Sequence, residues 1–134
     1  MDELTLEARV ENLDRVMSFV DGHLEALDCP PRAQMQLDVA VEEIFVNIAS
    51  YAYAPETGPA TVRFESEGTQ ISVTFLDRGV PYDPLQNADP DVTLAAEDRQ
   101  IGGLGIFMVK KSMDDMRYAY RDGQNILTII KRLG

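Results

Sequence analysis

Apolar side chains recur along this chain with two different periods, and the switches between them divide it into elements. From Leu4 to Arg9, Leu4, Leu6 and Ala8 alternate with polar neighbours, the period of a short half-buried strand. Leu13, Val16, Val20, Leu24 and Leu27 then share one face of a helix that Asn12 is placed to cap and that runs to about Leu27. Asp28-Cys29-Pro30-Pro31 stops it, and prolines are tolerated in the first turn of the helix that follows. That second helix, about Pro31 to Tyr51, carries Leu37, Val41, Ile44 and Ile48 as a buried stripe, and Pro55 and Gly58-Pro59 end the segment.

Strand-like alternation returns in Ala60–Glu67 and Gln70–Leu76, joined by a tight turn at Gly68-Thr69. The polar stretch from Asp77 to Gln100 is too long for an ordinary connection and reads as a functional lid, at about 84–101, or a disordered loop. Gly102 to Gly105 opens a short helix bearing Ile106, Val109 and Met113, with Met108 and Met113 as core filling. Met116–Arg121 and Gln124–Leu133 are joined by Asp122-Gly123, a strong hairpin signal. This order predicts an α+β fold, a two-layer α/β sandwich with helices packed on one face of a mainly antiparallel sheet.

Composition narrows the classes. The 134 residues, 45% of them hydrophobic, suffice for one core and predict a single domain over residues 1–134. No apolar run approaches the roughly 20 residues that cross a bilayer. The acidic start Met1-Asp2-Glu3-Leu4 lacks the regions of a signal peptide, so a cytoplasmic protein without a membrane partner is expected. A formal net charge of -11 repels polyphosphate and argues against direct nucleic-acid binding. The same field would steer a basic protein partner, although acidity also serves solubility alone. Cys29 and His23 are each unique, which excludes an internal disulfide and leaves Ser-His-Asp or Cys-His chemistry without a partner motif.

Three constellations carry candidate chemistry. In Val41-Glu42-Glu43-Ile44-Phe45-Val46-Asn47, the four-residue spacing of Glu43 and Asn47 puts both on one strip of the helix, beside its apolar stripe. An amide oxygen there suits Mg²⁺, and a neighbouring carboxylate can take a proton from an attacking hydroxyl. Glu42 falls on the other flank. In Leu76-Asp77-Arg78-Gly79-Val80-Pro81, a carboxylate ends a strand where it can accept from an exocyclic amine such as adenine's, and Gly79 permits close backbone approach or a positive φ. An Asp-x-Gly turn leaving a strand is also ordinary punctuation. Gly102-Gly103-Leu104-Gly105 opens a helix whose N–H groups can close on an anion, or else serves as a hinge.

Taken together and in this order, the segments resemble the N, G1 and G2 boxes of the GHKL superfamily, most closely its short anti-sigma factor serine kinase branch. Glu43-Ile44-Phe45-Val46-Asn47 is similar to that branch's Glu-x-x-x-Asn, Asp77-Arg78-Gly79-Val80-Pro81 to its Asp-x-Gly-x-Pro, and Gly103-Leu104-Gly105 to its Gly-x-Gly. The resemblance implies the Bergerat ATP-binding fold, with ATP or ADP and Mg²⁺ as cofactors. It implies that Asn47 ligates the metal and Glu43 acts as base, that Asp77 bonds the adenine amine, and that Gly79 and Pro81 shape the loop around the base. Gly102, Gly103, Leu104 and Gly105 would meet the phosphates. It further implies γ-phosphoryl transfer to a serine or threonine of a small antagonist protein, sequestration of a sigma factor, and pairing as a homodimer. Two departures stand out. Relatives place an arginine just before the glycine box, where this chain has Ile101, with Arg99 upstream as a substitute that could steady phosphoryl charge. Where some relatives carry a histidine after the Asn, Tyr51 stands here and is expected to pack. The first departure motivates the alternative of a nucleotide-binding switch that sequesters a partner without transferring phosphate.

Overall fold

In the computed structural model, residues 2–86 and 103–133 are described. The elements are β1 (Asp2–Glu7), α1 (Leu13–Ala26), α2 (Pro31–Asn47), β2 (Pro59–Glu67), β3 (Gln70–Asp77), α3 (Gly103–Ser112), β4 (Asp115–Arg121) and β5 (Gln124–Arg132). The strands form a five-stranded sheet in the order β1-β2-β3-β5-β4, and every described pairing is antiparallel.

Strict alternation makes one face of that sheet apolar. Ala60, Val62 and Phe64 of β2, Ile71, Val73 and Phe75 of β3, and Leu127 and Ile129 of β5 all enter one core cluster. The other face carries cross-strand threonines, Thr5 on Thr61 (2.9 Å between hydroxyls) and Thr74 on Thr128 (3.1 Å). The helices complete the core with Val16, Val20 and Leu24 of α1, Leu37, Val41, Ile44 and Phe45 of α2, and Ile106 and Val109 of α3. This is the expected two-layer α+β arrangement.

Several local expectations are corrected. The first strand begins earlier, at Asp2, and ends at Glu7. Asn12 occupies the N-cap position of α1 without capping it, because its side chain donates back to the Glu7 carbonyl at 2.8 Å and fixes the strand-to-helix bend instead. Leu27 falls beyond the helix and is exposed, as is Met108, which lies on the outer side of α3. The second helix stops being α-helical at Asn47 and widens into a π-turn over Ile48–Ala52. Both predicted turns form. Gly68 has φ +61°, and Asp122 and Gly123 both have positive φ (53° and 77°), as a tight right-twisted hairpin demands.

Candidate functional site

The end of α2, the loop after β3 and the start of α3 converge on one cavity of about 380 Å³. Its walls are mostly apolar, including Ile44, Phe75, Ile106 and Leu127, and its polar groups include Asn47, Asp77, Asn125 and Tyr118. An apolar slot with few convergent polar groups is the usual form of a small-molecule site.

Asp77 is the last residue of β3 and only 5% exposed. Its Oδ1 accepts from the Gly79 N–H at 2.9 Å and from Asn125 Nδ2 at 2.9 Å. Among the described residues Oδ2 accepts no hydrogen bond, so the carboxylate keeps an acceptor for a ligand donor. Asn125, directly opposite Asp77 in the sheet, is the hub of this end of the cavity. Its amide also donates to the Val80 carbonyl at 2.9 Å, while its Oδ1 accepts from the Tyr82 N–H at 3.1 Å and from the Tyr118 hydroxyl. Those contacts fix which way the amide points. Burial pushes the Tyr118 phenol above its ordinary pKa, so it stays a donor at neutral pH.

Reasoning from sequence missed Asn125. The signal was present, because Asn125 shares the inward parity of Leu127 and Ile129 and is a polar residue in an otherwise apolar row. Tyr51, expected to pack, instead lies 46% exposed on the cavity rim.

Gly79 has a reason of its own. A Cβ there would overlap the backbone carbonyl of Ala52, whose carbon would lie 2.6 Å away, and the adjacent Val80 N–H bonds that same carbonyl at 3.0 Å. The close backbone approach anticipated at this glycine is made by the chain itself. The π-turn after α2 is thereby stitched to the loop after β3, which sets the spacing between Asn47 and Asp77. Tyr53 adds a second stitch, accepting from the Arg78 N–H at 2.7 Å and donating to the Pro59 carbonyl. Pro81 lines the cavity as well.

On α2, Glu43 and Asn47 are both half-buried, and Asn47 Nδ2 donates to Glu43 Oε1 at 3.4 Å. The amide oxygen of Asn47 is therefore turned away from Glu43, while Glu42 is exposed. Gly103, Leu104 and Gly105 begin α3, and Gly105 lies against Glu43. Lys111 stacks over Phe107 at 5.1 Å. Arg99 and Gly102, and the expected lid beyond the short 3₁₀ turn Pro84–Gln86, lie outside the described residues. No helix among the described residues is long and apolar enough to cross a membrane.

This fold and this cavity define a nucleotide-binding domain class, and residues 6–131 match the histidine kinase-like ATPase domain family, to which the chain belongs. Among characterised relatives, it is 32% identical over 100 residues to the serine/threonine-protein kinase BtrW of Bordetella bronchiseptica, covering 73% of this chain and 70% of that one. It is 32% identical over 96 residues to the serine-protein kinase RsbW of Listeria monocytogenes, covering 68% of this chain and 61% of the relative. The match thus spans less than two thirds of RsbW's length. In fold it resembles the crystal structure of the RsbU and RsbW domains of Rv1364c from Mycobacterium tuberculosis, with a TM-score of 0.65 at 14% identity, over 99% of this chain and 33% of that one.

Proposed function

We propose that this chain is a single ATP-binding domain that transfers the γ-phosphoryl group of ATP to a serine or threonine of a small antagonist protein, and that it also holds a sigma factor inactive. One observation carries the reading: Asn47 and the buried acceptor Asp77 line the same apolar cavity, so a single nucleotide can bridge them. The names of the relatives supply the kinase chemistry.

In this reading Asp77 Oδ2 takes the exocyclic amine of adenine, with Asn125 and the Gly79 N–H holding the other carboxylate oxygen in place. Ile44, Phe75 and Leu127 enclose the base and exclude water. Among the described residues no group of three His, Cys, Asp or Glu side chains could cage an ion, so the site suits a cation delivered by the nucleotide. The amide oxygen of Asn47 fits such an ion, and Mg²⁺ would neutralise charge on the phosphate oxygens during transfer. Gly103 and Gly105 offer backbone N–H groups at the start of α3. Glu43, next to Asn47, accepts the proton of the attacking hydroxyl. Arg99 is the proposed stabiliser of phosphoryl charge, and a homodimer in the cytoplasm is the proposed setting.

Purified protein with Mg-ATP and a small antagonist-type substrate should yield a phosphoprotein. Glu43→Ala should cut transfer about 10²–10⁴-fold, the usual contribution of a general base, while Mg-ATP still raises the melting temperature. Nucleotide binding by wild type without transfer to any antagonist would replace the kinase with the non-catalytic switch.

A further inference from the structure

The contact between α2 and α3 assigns Gly105 a role distinct from offering its N–H. A side chain at this position would overlap the Glu43 carboxylate, with even the farther oxygen, Oε2, only 2.6 Å from the added Cβ. The backbone of α3 has no room to retreat, because Ile106 and Val109 of the same helix are 6% and 1% exposed within the core. The oxygen nearest Gly105, Oε1, also accepts from Asn47 Nδ2 at 3.4 Å. The Glu43 carboxylate thus contacts both an amide and the bare Cα of a glycine, at the helix end where a negative charge is favoured.

We propose that Gly105 is a positioning residue for Glu43: its missing side chain forms the seat that holds the carboxylate at the first turn of α3. The functional half of this inference rests on the reading of Glu43 as base. That turn is also where backbone N–H groups are proposed to receive phosphate, so the seat brings base and phosphoryl group to one helix end. Any side chain at 105 evicts the carboxylate. The glycine is then required by Glu43 rather than by the anion, and its replacement becomes harmless once the carboxylate is gone. A glycine that merely lets the anion approach would be needed whatever occupies position 43.

A double-mutant cycle separates the two. Gly105→Ala, Glu43→Ala, Glu43→Asp and the paired variants are compared for melting temperature without ligand, for Mg-ATP Kd, and for kcat and KM of transfer. Gly105→Ala should raise the melting temperature in the Glu43→Ala background, where only the helix propensity of alanine is left, and should raise it distinctly less, or lower it, when Glu43 is present. It should cut kcat on the order of 10²-fold, like loss of the base, while Mg-ATP Kd changes by less than roughly threefold. Glu43→Asp, which withdraws the carboxylate by one methylene, should remove much of the penalty of Gly105→Ala on melting temperature. The seat is overturned if Gly105→Ala changes the melting temperature equally in both backgrounds, or if it abolishes Mg-ATP binding even with Glu43→Ala. The melting-temperature cycle needs no ligand, so it decides the seat even if the chain transfers no phosphate.

Discussion

Asp38 is a residue whose ionisation bears on the stability of this fold. It lies on α2 facing α1, and its Oδ1 is buried without a hydrogen-bond partner among the described residues. Burial first, then hydrogen bonding to and repulsion by the Asp21 carboxyl, then the charge of Glu25, push its pKa up to about 7. Gln34 Nε2 offers Asp21 a compensating bond at 3.3 Å. A carboxyl whose folded pKa exceeds its unfolded value stabilises most fully below about pH 4, and that stabilisation is lost as pH rises to about 7. Denaturation followed from pH 4 to 8 should therefore show wild type losing stability with rising pH, and Asp38→Asn should flatten that decline. An unchanged slope in the variant would remove Asp38 as its source. Nothing local marks Asp38 in the sequence, since its partners Asp21 and Glu25 belong to another helix. Glu43, Asn47, Asp77 and Gly79 were legible because their spacing or their place at a strand end is local. Asn125 was not, because its partners come from β3, β4 and the loop between.

At the scale of elements, α1 shows how a helix stop can be read correctly and still have an unexpected interior. Its end forms a Schellman motif, with the Cys29 N–H on the Leu24 carbonyl (3.0 Å) and the Asp28 N–H on the Glu25 carbonyl (3.1 Å). The left-handed residue this requires is Asp28, at φ 52°, where glycine is usual. Asp28→Gly should stabilise the chain by about 0.5–1 kcal/mol, the left-handed strain relieved less the added unfolded-state entropy. Chemical denaturation would show a shifted midpoint at constant slope, and a fall in the midpoint would contradict it. Strand alternation and the Asp122-Gly123 turn were legible for the same reason, that each is decided within a few residues. Asn12 misled because its amide had a carbonyl within reach at Glu7, outside the helix. The π-turn at Ile48–Ala52 was invisible because the loop it serves, at Gly79 and Val80, comes later in the chain.

For the whole molecule, the apolar pattern foretold the layers but not the strand order, which brings β5 between β3 and β4. That order is what closes the cavity. Saturation at about 100 times Kd stabilises a folded state by roughly 2.7 kcal/mol. Mg-ATP should therefore raise the melting temperature on the order of 10 °C for a chain of this size. Asp77→Asn should weaken binding about 10–100-fold, the loss of a charge-assisted hydrogen bond, and at the same ligand concentration shrink the shift to between about a half and about a sixth. Equal shifts for both proteins would remove Asp77 from the site.

Asp77 and Asn125 occupy the same rung of the ladder between β3 and β5. Sliding one strand past the other by a single residue would turn Asn125 to the opposite face and leave the buried carboxylate with the Gly79 N–H alone among the described residues. The alignment that forms the cavity is thus also the one that gives this acid its cross-strand amide donor, so a slipped sheet would lose stability together with the cavity, and selection for the correct strand register is built into the polar pair at its end.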